Sequence, residues 1–152
     1  MLMETDMPRK ILLAIAAPLA LLAATTPVAA AAIHVVKAAS CGCCAAWVEY
    51  LRKVGHQVTV TNADDMTPIA RRLGVPDDLR SCHTAQVGKY ALEGHVPAAD
   101  IARLLREKPD AAGLAVPGMV AGSPGMEADG RHVAYQTILF TRDGRRRVFA
   151  QH

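Results

Sequence analysis

The chain has 152 residues, about half of them hydrophobic, and its 17 Lys and Arg nearly balance 14 Asp and Glu, which leaves a formal charge of +3. Only 4% of the residues are aromatic and no basic stripe is interleaved with them, which argues against a nucleic-acid-binding protein. The length fits a single domain that buries its own core, preceded by a targeting segment.

The first 32 residues have the layout of a secretory signal peptide. Arg9 and Lys10 precede an apolar stretch without charge at 11–24, and the small residues at 29–32 provide an A-x-A type end. We therefore expect cleavage near Ala32, a mature chain that begins near Ile33, and an exported, periplasmic protein. A retained membrane anchor is the alternative, because residues 11–32 are long enough to span a bilayer.

Strand and helix patterns alternate along the predicted mature chain. In chain order they predict a strand at 33–36, a helix from Cys44 to a stop at Gly55, a strand at 58–61, a short helix capped by Thr67, a third strand at 87–92, a helix between Pro97 and Pro109, and a terminal hairpin of 135–140 and 148–149. Trp47 falls on the apolar face of the first helix and is predicted to lie in the core.

Cysteines mark the candidate functional site. Cys41, Cys43 and Cys44 lie between the first strand and the first helix, and Cys82 stands beside His83 shortly before the third strand. Four cysteines in an exported protein often form two structural disulfides. Here we expect a metal site instead, because a disulfide needs suitably separated Cα atoms and these thiols are crowded. Such a group of thiolates suits a soft metal ion.

The order of elements resembles the thioredoxin and glutaredoxin fold, in which a Cys-x-x-Cys separates the first strand from the first helix. Cys41 and Cys44 have this spacing, and a helix N-terminus favours thiolate over thiol. We predict an α/β, thioredoxin-like three-layer domain with a C-terminal loop and β-hairpin extension. Where that fold carries a cis-proline before its third strand, this chain has Cys82 and His83, which should therefore approach the first cysteines.

The tripeptide Pro-Gly-Met occurs twice, seven residues apart, and places Met119 and Met126 directly after turn signals. Thioether sulfur is a soft ligand that selects Cu(I). The alternative is that both methionines fill a gap in an irregular core.

The remaining histidines are predicted to lie outside the site. The strand turn accounts for His95, and surface positions are expected for the others: His34, His56, His132 and His152.

Four stretches, SCGCCAAWVEYLRKVG, GVPDDLRSCHTAQV, YALEGHVPAADIARLL and GLAVPGMVAGSPGME, occur in this order. Together they resemble the domain-of-unknown-function family 411, which includes CopG-type copper-resistance proteins. The resemblance covers about residues 35–127 and implies an exported, thioredoxin-like protein with a Cys-x-Cys-Cys copper site. The metal site that it implies consists of Cys41, Cys43, Cys44 and Cys82, with His83, Met119 and Met126 in matching segments.

These observations predict a protein that binds one or more Cu(I) ions and sequesters or transfers them in copper resistance or homeostasis. Its expected partners are the metal ion and other exported copper-handling proteins, with no nucleic acid, and a membrane only if the signal segment is retained. The alternative is a thiol–disulfide or copper-linked oxidoreductase in which Cys41 attacks and Cys44 resolves. Cys43, Cys82 and His83 exceed the needs of a redox pair and favour binding. A zinc site is a third interpretation, although the cysteine spacing is tighter than in common zinc loops.

Overall fold

The computed structural model describes residues 30–127 and 130–152. Within them the elements are, in chain order, β1 Ala32–Lys37, α1 Gly42–Lys53, β2 Gln57–Asn62, α2 Thr67–Leu73, a 3-10 turn at Asp77–Leu79, β3 His83–Val87, β4 Tyr90–Glu93, α3 Ala98–Glu107, β5 Gly113–Ala115, β6 Gln136–Phe140 and β7 Arg146–Gln151. Nearly all of the predicted signal peptide lies outside the described residues and stays a prediction.

The strands form one mixed sheet in the order β2-β1-β3-β4-β5-β6-β7. The pairs β1–β2 and β4–β5 are parallel, and the other neighbours are antiparallel. Each parallel pair is joined by a crossover that contains a helix, α1 in the first and α3 in the second, as parallel pairing requires.

Helices cover both faces of the sheet. Successive residues of a strand point to opposite faces, and accordingly Leu92 and Leu114 join one apolar cluster while their neighbours Ala91 and Ala115 join another. The first cluster takes in the buried faces of α1 and α3, and the second takes in α2. The molecule is therefore layered, with the sheet between α1 and α3 on one side and α2 on the other.

The register of β1 against β3 decides where the cysteines meet. Lys37, the last residue of β1, lies opposite His83, the first residue of β3, because the two strands are antiparallel. The chain leaves β1 into the loop that holds Cys41, and it enters β3 directly after Cys82. Both cysteine segments therefore lie at the same edge of the sheet, although about forty positions separate them in sequence.

Two local predictions were wrong. The stretch 87–92 is not one strand, because Gly88, with φ of +54°, turns the chain between β3 and β4. Thr67 is the first residue of α2 rather than its cap, and its N–H donates to the Asp65 carboxylate at 2.8 Å.

The strand β5 was not predicted, since three residues are too few to show a periodicity. The terminal hairpin is confirmed as β6 and β7. In the described part of the chain, no helix has the length and apolar character needed to cross a membrane.

Candidate metal centre

The N-terminus of α1 holds three of the four cysteines. Cys41 is the N-cap residue, and its sulfur accepts a hydrogen bond from the Cys44 N–H at 3.3 Å. Cys43 and Cys44 stand in the first helical turn, where Cys44 is fully buried and Cys43 is partly exposed. A helix begins here because the cap satisfies one of the free N–H groups of its first turn.

Cys41 and Cys44 form a disulfide, with their Cα atoms 5.3 Å apart. The expectation that crowding would keep these cysteines unpaired was therefore wrong for this pair. The reason is that a separation of three residues at a helix start brings two Cα atoms within the usual range for a disulfide. Cys43 and Cys82 are free thiols.

All four sulfur atoms lie within 4.8 Å of one another, as the sequence predicted from the position of Cys82. The Cys43 sulfur is 3.6 Å from the Cys41 sulfur. Four sulfurs at this separation form a group of residues that can hold a metal ion. The disulfide must first be reduced for Cys41 and Cys44 to act as thiolate ligands.

Two imidazoles contact the Cys82 sulfur. The Cys82 sulfur lies 3.4 Å from Nδ1 of His83 and 3.2 Å from Nε2 of His95. Cys82, His83 and His95 thus form a second group of potential metal ligands that shares one sulfur with the first. Cys82 is the residue that joins the thiols to the histidines.

His95 was wrongly placed outside the site by the sequence analysis. It is fully buried, and its Nδ1 lies 2.7 Å from the carbonyl oxygen of Pro124. A carbonyl only accepts, so Nδ1 carries the proton and Nε2 presents its lone pair toward Cys82. Histidine ligands of metals commonly have their other ring nitrogen held in this way. No local sequence pattern marked His95, because it reaches Cys82 only through the pairing of β4 with β3.

His83 is also fully buried and has one nitrogen without a hydrogen-bond partner, Nε2. The centroid of its ring lies 4.5 Å from the ring centroid of Trp47 and 5.1 Å from that of His95. Trp47 lies in the core, as predicted, and its indole N–H donates to the Val96 carbonyl at 3.0 Å. The aromatic packing holds His83 in place beside Cys82.

Burial controls the protonation of this group. It raises the pKa of the Cys82 thiol to about 11, and the neighbouring Cys43 adds to this shift. Burial also lowers the pKa of His83 to about 3 and lowers the pKa of His95, against the opposing effect of the Pro124 carbonyl. At neutral pH the metal-free site therefore holds a protonated Cys82 thiol and two neutral imidazoles.

Met119 and Met126 line a cleft of about 360 Å³ together with Cys43. The side chain of Met119 is 63% exposed, whereas Met126 is partly buried. Gly125 allows this loop to lie against α1. A Cβ on Gly125 would lie only 2.7 Å from the backbone nitrogen of Trp47 and 3.0 Å from the carbonyl oxygen of Cys43. The exposure of Met119 excludes the alternative that it fills a gap in the core.

Among the described residues, the other histidines belong to neither group of potential metal ligands. His34 and His132 are exposed, as predicted. His56 is buried, contrary to prediction, and accepts the Ala31 N–H at 3.2 Å. His152 is exposed, as predicted, and its Nε2 lies 2.9 Å from the Asp100 carboxylate.

The fold and the site define a mixed α/β protein that carries a cysteine and histidine group suited to a metal ion. The family described as "Protein of unknown function, DUF411" matches residues 79–126. Two solved structures, "Copper resistance protein copG- Form 2" and "Copper resistance protein copG- Form 1", are each 47% identical to this chain. Each match covers 81% of this chain and 98% of the other, with TM-scores of 0.77 and 0.76. None of the curated proteins matches this chain. The chain belongs to the DUF411 family of CopG-type proteins.

Proposed function

We propose that this protein is an exported copper-binding protein that sequesters or transfers Cu(I). The observation that carries the proposal is the convergence of four sulfur atoms within 4.8 Å from two distant segments of the chain. The 47% identity to copper resistance proteins supports copper as the metal. Copper is the cargo of the protein in this proposal.

The donor set fits Cu(I) better than harder ions. Thiolate and thioether sulfur are soft ligands that select Cu(I), while imidazole suits several transition metals. In the reduced protein Cys41, Cys43, Cys44 and Cys82 would hold the metal, and more than one ion can share so many thiolates. Zn(II) also accepts Cys and His ligands, but the methionines beside Cys43 favour the softer ion.

The fold is proposed to be thioredoxin-like. The first four strands are ordered β2-β1-β3-β4, with β1 parallel to β2 and both β1 and β4 antiparallel to β3. The Cys-x-x-Cys pair stands at the N-terminus of α1, directly after β1. The strands β5, β6 and β7 then extend the sheet as the predicted C-terminal addition.

His83, Met119 and Met126 are proposed as further ligands, and His95 joins them. His95 presents Nε2 toward Cys82, and both methionines line the cleft that opens at Cys43. We propose that Met126 binds at the cluster and that the exposed Met119 meets the ion at the mouth of the cleft.

Single Cys→Ser variants test the proposal. We expect Cys43→Ser and Cys82→Ser each to lower Cu(I) affinity or stoichiometry, by about tenfold or more, because each removes a direct ligand. The measurement is an oxygen-free competition titration of the reduced protein against a chromophoric Cu(I) chelator, with native mass spectrometry for the ion count. Zn(II) that resists displacement by excess Cu(I) would contradict the copper assignment.

The Cys41–Cys44 disulfide supports a second candidate function, thiol–disulfide or copper-linked oxidoreduction. A disulfide at a helix N-terminus, with one attacking and one resolving sulfur, is the arrangement that exchange chemistry uses. Single Cys→Ser variants at all four cysteines separate the two functions when they are also measured in an insulin-type reduction assay. If Cys41→Ser and Cys44→Ser abolish a fast reductase activity while Cys43→Ser and Cys82→Ser bind copper like the wild type, the oxidoreductase replaces the binding protein.

A further inference from the structure

A buried carboxylate holds the segment that carries Cys82. Glu93, the last residue of β4, is fully buried, and the antiparallel register places it opposite Thr84 of β3. Its Oε1 accepts the Ser81 N–H at 2.7 Å, and its Oε2 accepts the Thr84 hydroxyl at 2.6 Å. One side chain therefore binds the chain on both sides of Cys82 and His83.

Arg80 completes this contact. Its Nε lies 3.3 Å from Oε1 of Glu93, and the Arg80 side chain remains partly exposed. Burial raises the pKa of Glu93, while Thr84, Ser81 and Arg80 oppose that shift. A carboxylate removed from water is costly unless its oxygens are hydrogen-bonded, and here both oxygens are.

We propose that Glu93 is a positioning residue that sets the place of the Cys82 sulfur against the other three sulfurs. Cys82 has no helix of its own to orient it, since it lies between the 3-10 turn and the first residue of β3. No cis peptide bond shapes this segment in the described residues. The hydrogen bonds from Ser81 and Thr84 to Glu93 orient this segment instead. The Gly94 N–H adds a hydrogen bond to the His83 carbonyl at 3.1 Å.

Positioning matters here because the sulfur group is assembled from two segments. Residues that orient metal ligands from behind commonly change affinity by about 10- to 100-fold when they are altered. A displacement of Cys82 would also move it away from His95, which it contacts at 3.2 Å. The inference rests on the proposed metal site for its consequence, but the geometry itself can be tested without metal.

Two substitutions separate length from charge. Glu93→Gln keeps the length of the side chain, offers Oε1 to Ser81 and places an amide opposite the Thr84 hydroxyl, which can accept as well as donate. Glu93→Asp keeps the charge but is one methylene too short to reach both sides at once. Positioning by hydrogen bonds predicts that Gln preserves the site and that Asp damages it.

The metal-free measurement is the rate at which diamide oxidises Cys43 and Cys82 to a disulfide in a Cys41→Ser/Cys44→Ser background. We expect Glu93→Gln to stay within about threefold of the parent rate and Glu93→Asp to be slower by about tenfold or more, because a small misplacement of reacting groups is costly. The second measurement is Cu(I) affinity and the thiolate-to-metal charge-transfer spectrum in the four-cysteine protein. There Glu93→Asp should weaken binding by about tenfold, while Glu93→Gln should keep the parent spectrum.

Asp100→Asn is the matched control. Asp100, on α3, is another buried carboxylate that accepts a threonine hydroxyl, from Thr137 at 2.6 Å, but its partners are Thr137 of β6 and His152 rather than residues of the Cys82 segment. It should lower thermal stability without changing the disulfide rate or the copper spectrum. If Glu93→Asp fails to fold, Thr84→Val removes one of the two hydrogen bonds and should slow the disulfide rate by a smaller factor.

Three outcomes overturn the inference. The first is that Glu93→Asp, or Thr84→Val in its place, reacts and binds like the parent protein. The second is that Glu93→Gln is as slow as Glu93→Asp, which would mean that hydrogen bonds from a neutral side chain of the same length do not position Cys82. The third is that Asp100→Asn gives the same losses as Glu93→Asp. A parent protein that binds no Cu(I), combined with the expected order of disulfide rates, would instead refute the proposed function and leave the positioning role of Glu93 supported.

Discussion

Cys82 is the residue on which the site depends most. Its sulfur belongs to both potential ligand groups, so it links the thiols of α1 to the imidazoles of His83 and His95. Each imidazole is buried and neutral, and the ring of His95 is oriented by a carbonyl on the opposite side. A nitrogen ligand beside sulfur ligands is consistent with a site that holds a metal rather than a site for disulfide exchange alone.

His95→Asn tests whether this histidine is a ligand. The Asn amide can keep the donor to the Pro124 carbonyl, but the nitrogen that faces Cys82 is removed. We expect Cu(I) affinity to fall by about tenfold, measured by chelator competition on the reduced protein.

His34→Asn is the matched control for that variant, because His34 is exposed on β1 and bonds only Thr61. It should leave affinity unchanged. Equal affinity in His95→Asn and the wild type would remove His95 from the ligand set.

His56 should make the protein less stable in acid. Burial lowers its pKa below the ordinary histidine value of 6.5, so just below pH 6.5 the folded protein keeps it neutral while the unfolded chain takes up a proton. Its contribution to stability is thus complete above pH 6.5 and is lost as the pH falls from there toward the folded-state pKa.

In a chain that retains Ala31, His56→Asn keeps an acceptor for the Ala31 N–H and removes the titration. The free energy of unfolding, from urea titrations between pH 7.5 and pH 5, should therefore fall less steeply in this variant than in the wild type. Parallel pH profiles for the two proteins would show that His56 has no part in acid sensitivity.

At the scale of elements, the site consists of a helix N-terminus, a strand entrance and a loop. The loop after β5 reaches α1 because Gly125 has φ of +84° and no side chain, which allows its backbone to lie against Cys43 and Trp47. This approach places Met126 in the cleft with Cys43. The Pro-Gly-Met repeat thus serves both the backbone turn and the placement of sulfur.

Gly125→Ala should separate this loop from α1. The added Cβ meets the Trp47 nitrogen at 2.7 Å, and the left-handed backbone disfavours alanine, so we expect a loss of about 2 kcal/mol or more in the free energy of unfolding. We also expect weaker Cu(I) binding, because Met126 moves away from Cys43.

Gly144→Ala provides the comparison for that variant. Gly144 has φ of +86°, but a Cβ there meets nothing within 4 Å. It should lose about 1–2 kcal/mol through its backbone alone and bind copper normally. If both variants lose equal stability and both bind copper like the wild type, the close approach of the loop is unimportant.

At the scale of the whole molecule, the sheet order brings the site together. The antiparallel pairing of β1 with β3 places Lys37 opposite His83, so the cysteine loop and Cys82 share one edge. Helix α1 then packs through Trp47 and Leu51 into the larger apolar cluster. Cys43 and Cys44 therefore belong to a helix that is anchored in this core.

Export should yield a chain that begins near Ile33. The basic, apolar and small-residue segments of 1–32 are the reason for this expectation, and β1 begins to pair with β2 at Ala32. N-terminal sequencing of the protein from the exported fraction is the measurement. Recovery of the chain in the membrane fraction with residues 11–24 still attached would favour a retained anchor.

The sequence by itself determined the family, the metal-suited cysteines and most of the elements. Local signals carry this information, because the spacing of Cys41, Cys43 and Cys44, the helical period through Trp47 and the turn before Met126 are all short-range patterns. The approach of Cys82 followed from the order of elements and is confirmed by the shared sheet edge.

Only the tertiary structure decided which side chains complete the site. His95 faces Cys82 because β4 pairs with β3 and the chain then bends at Gly94, which no local pattern encodes. Glu93 and the burial of His56 were likewise hidden, since a polar residue is buried only where distant partners satisfy it. The sequence marked Cys41 and Cys44 as the exchange pair of the alternative function, and the structure shows that their Cα atoms have the separation of a disulfide.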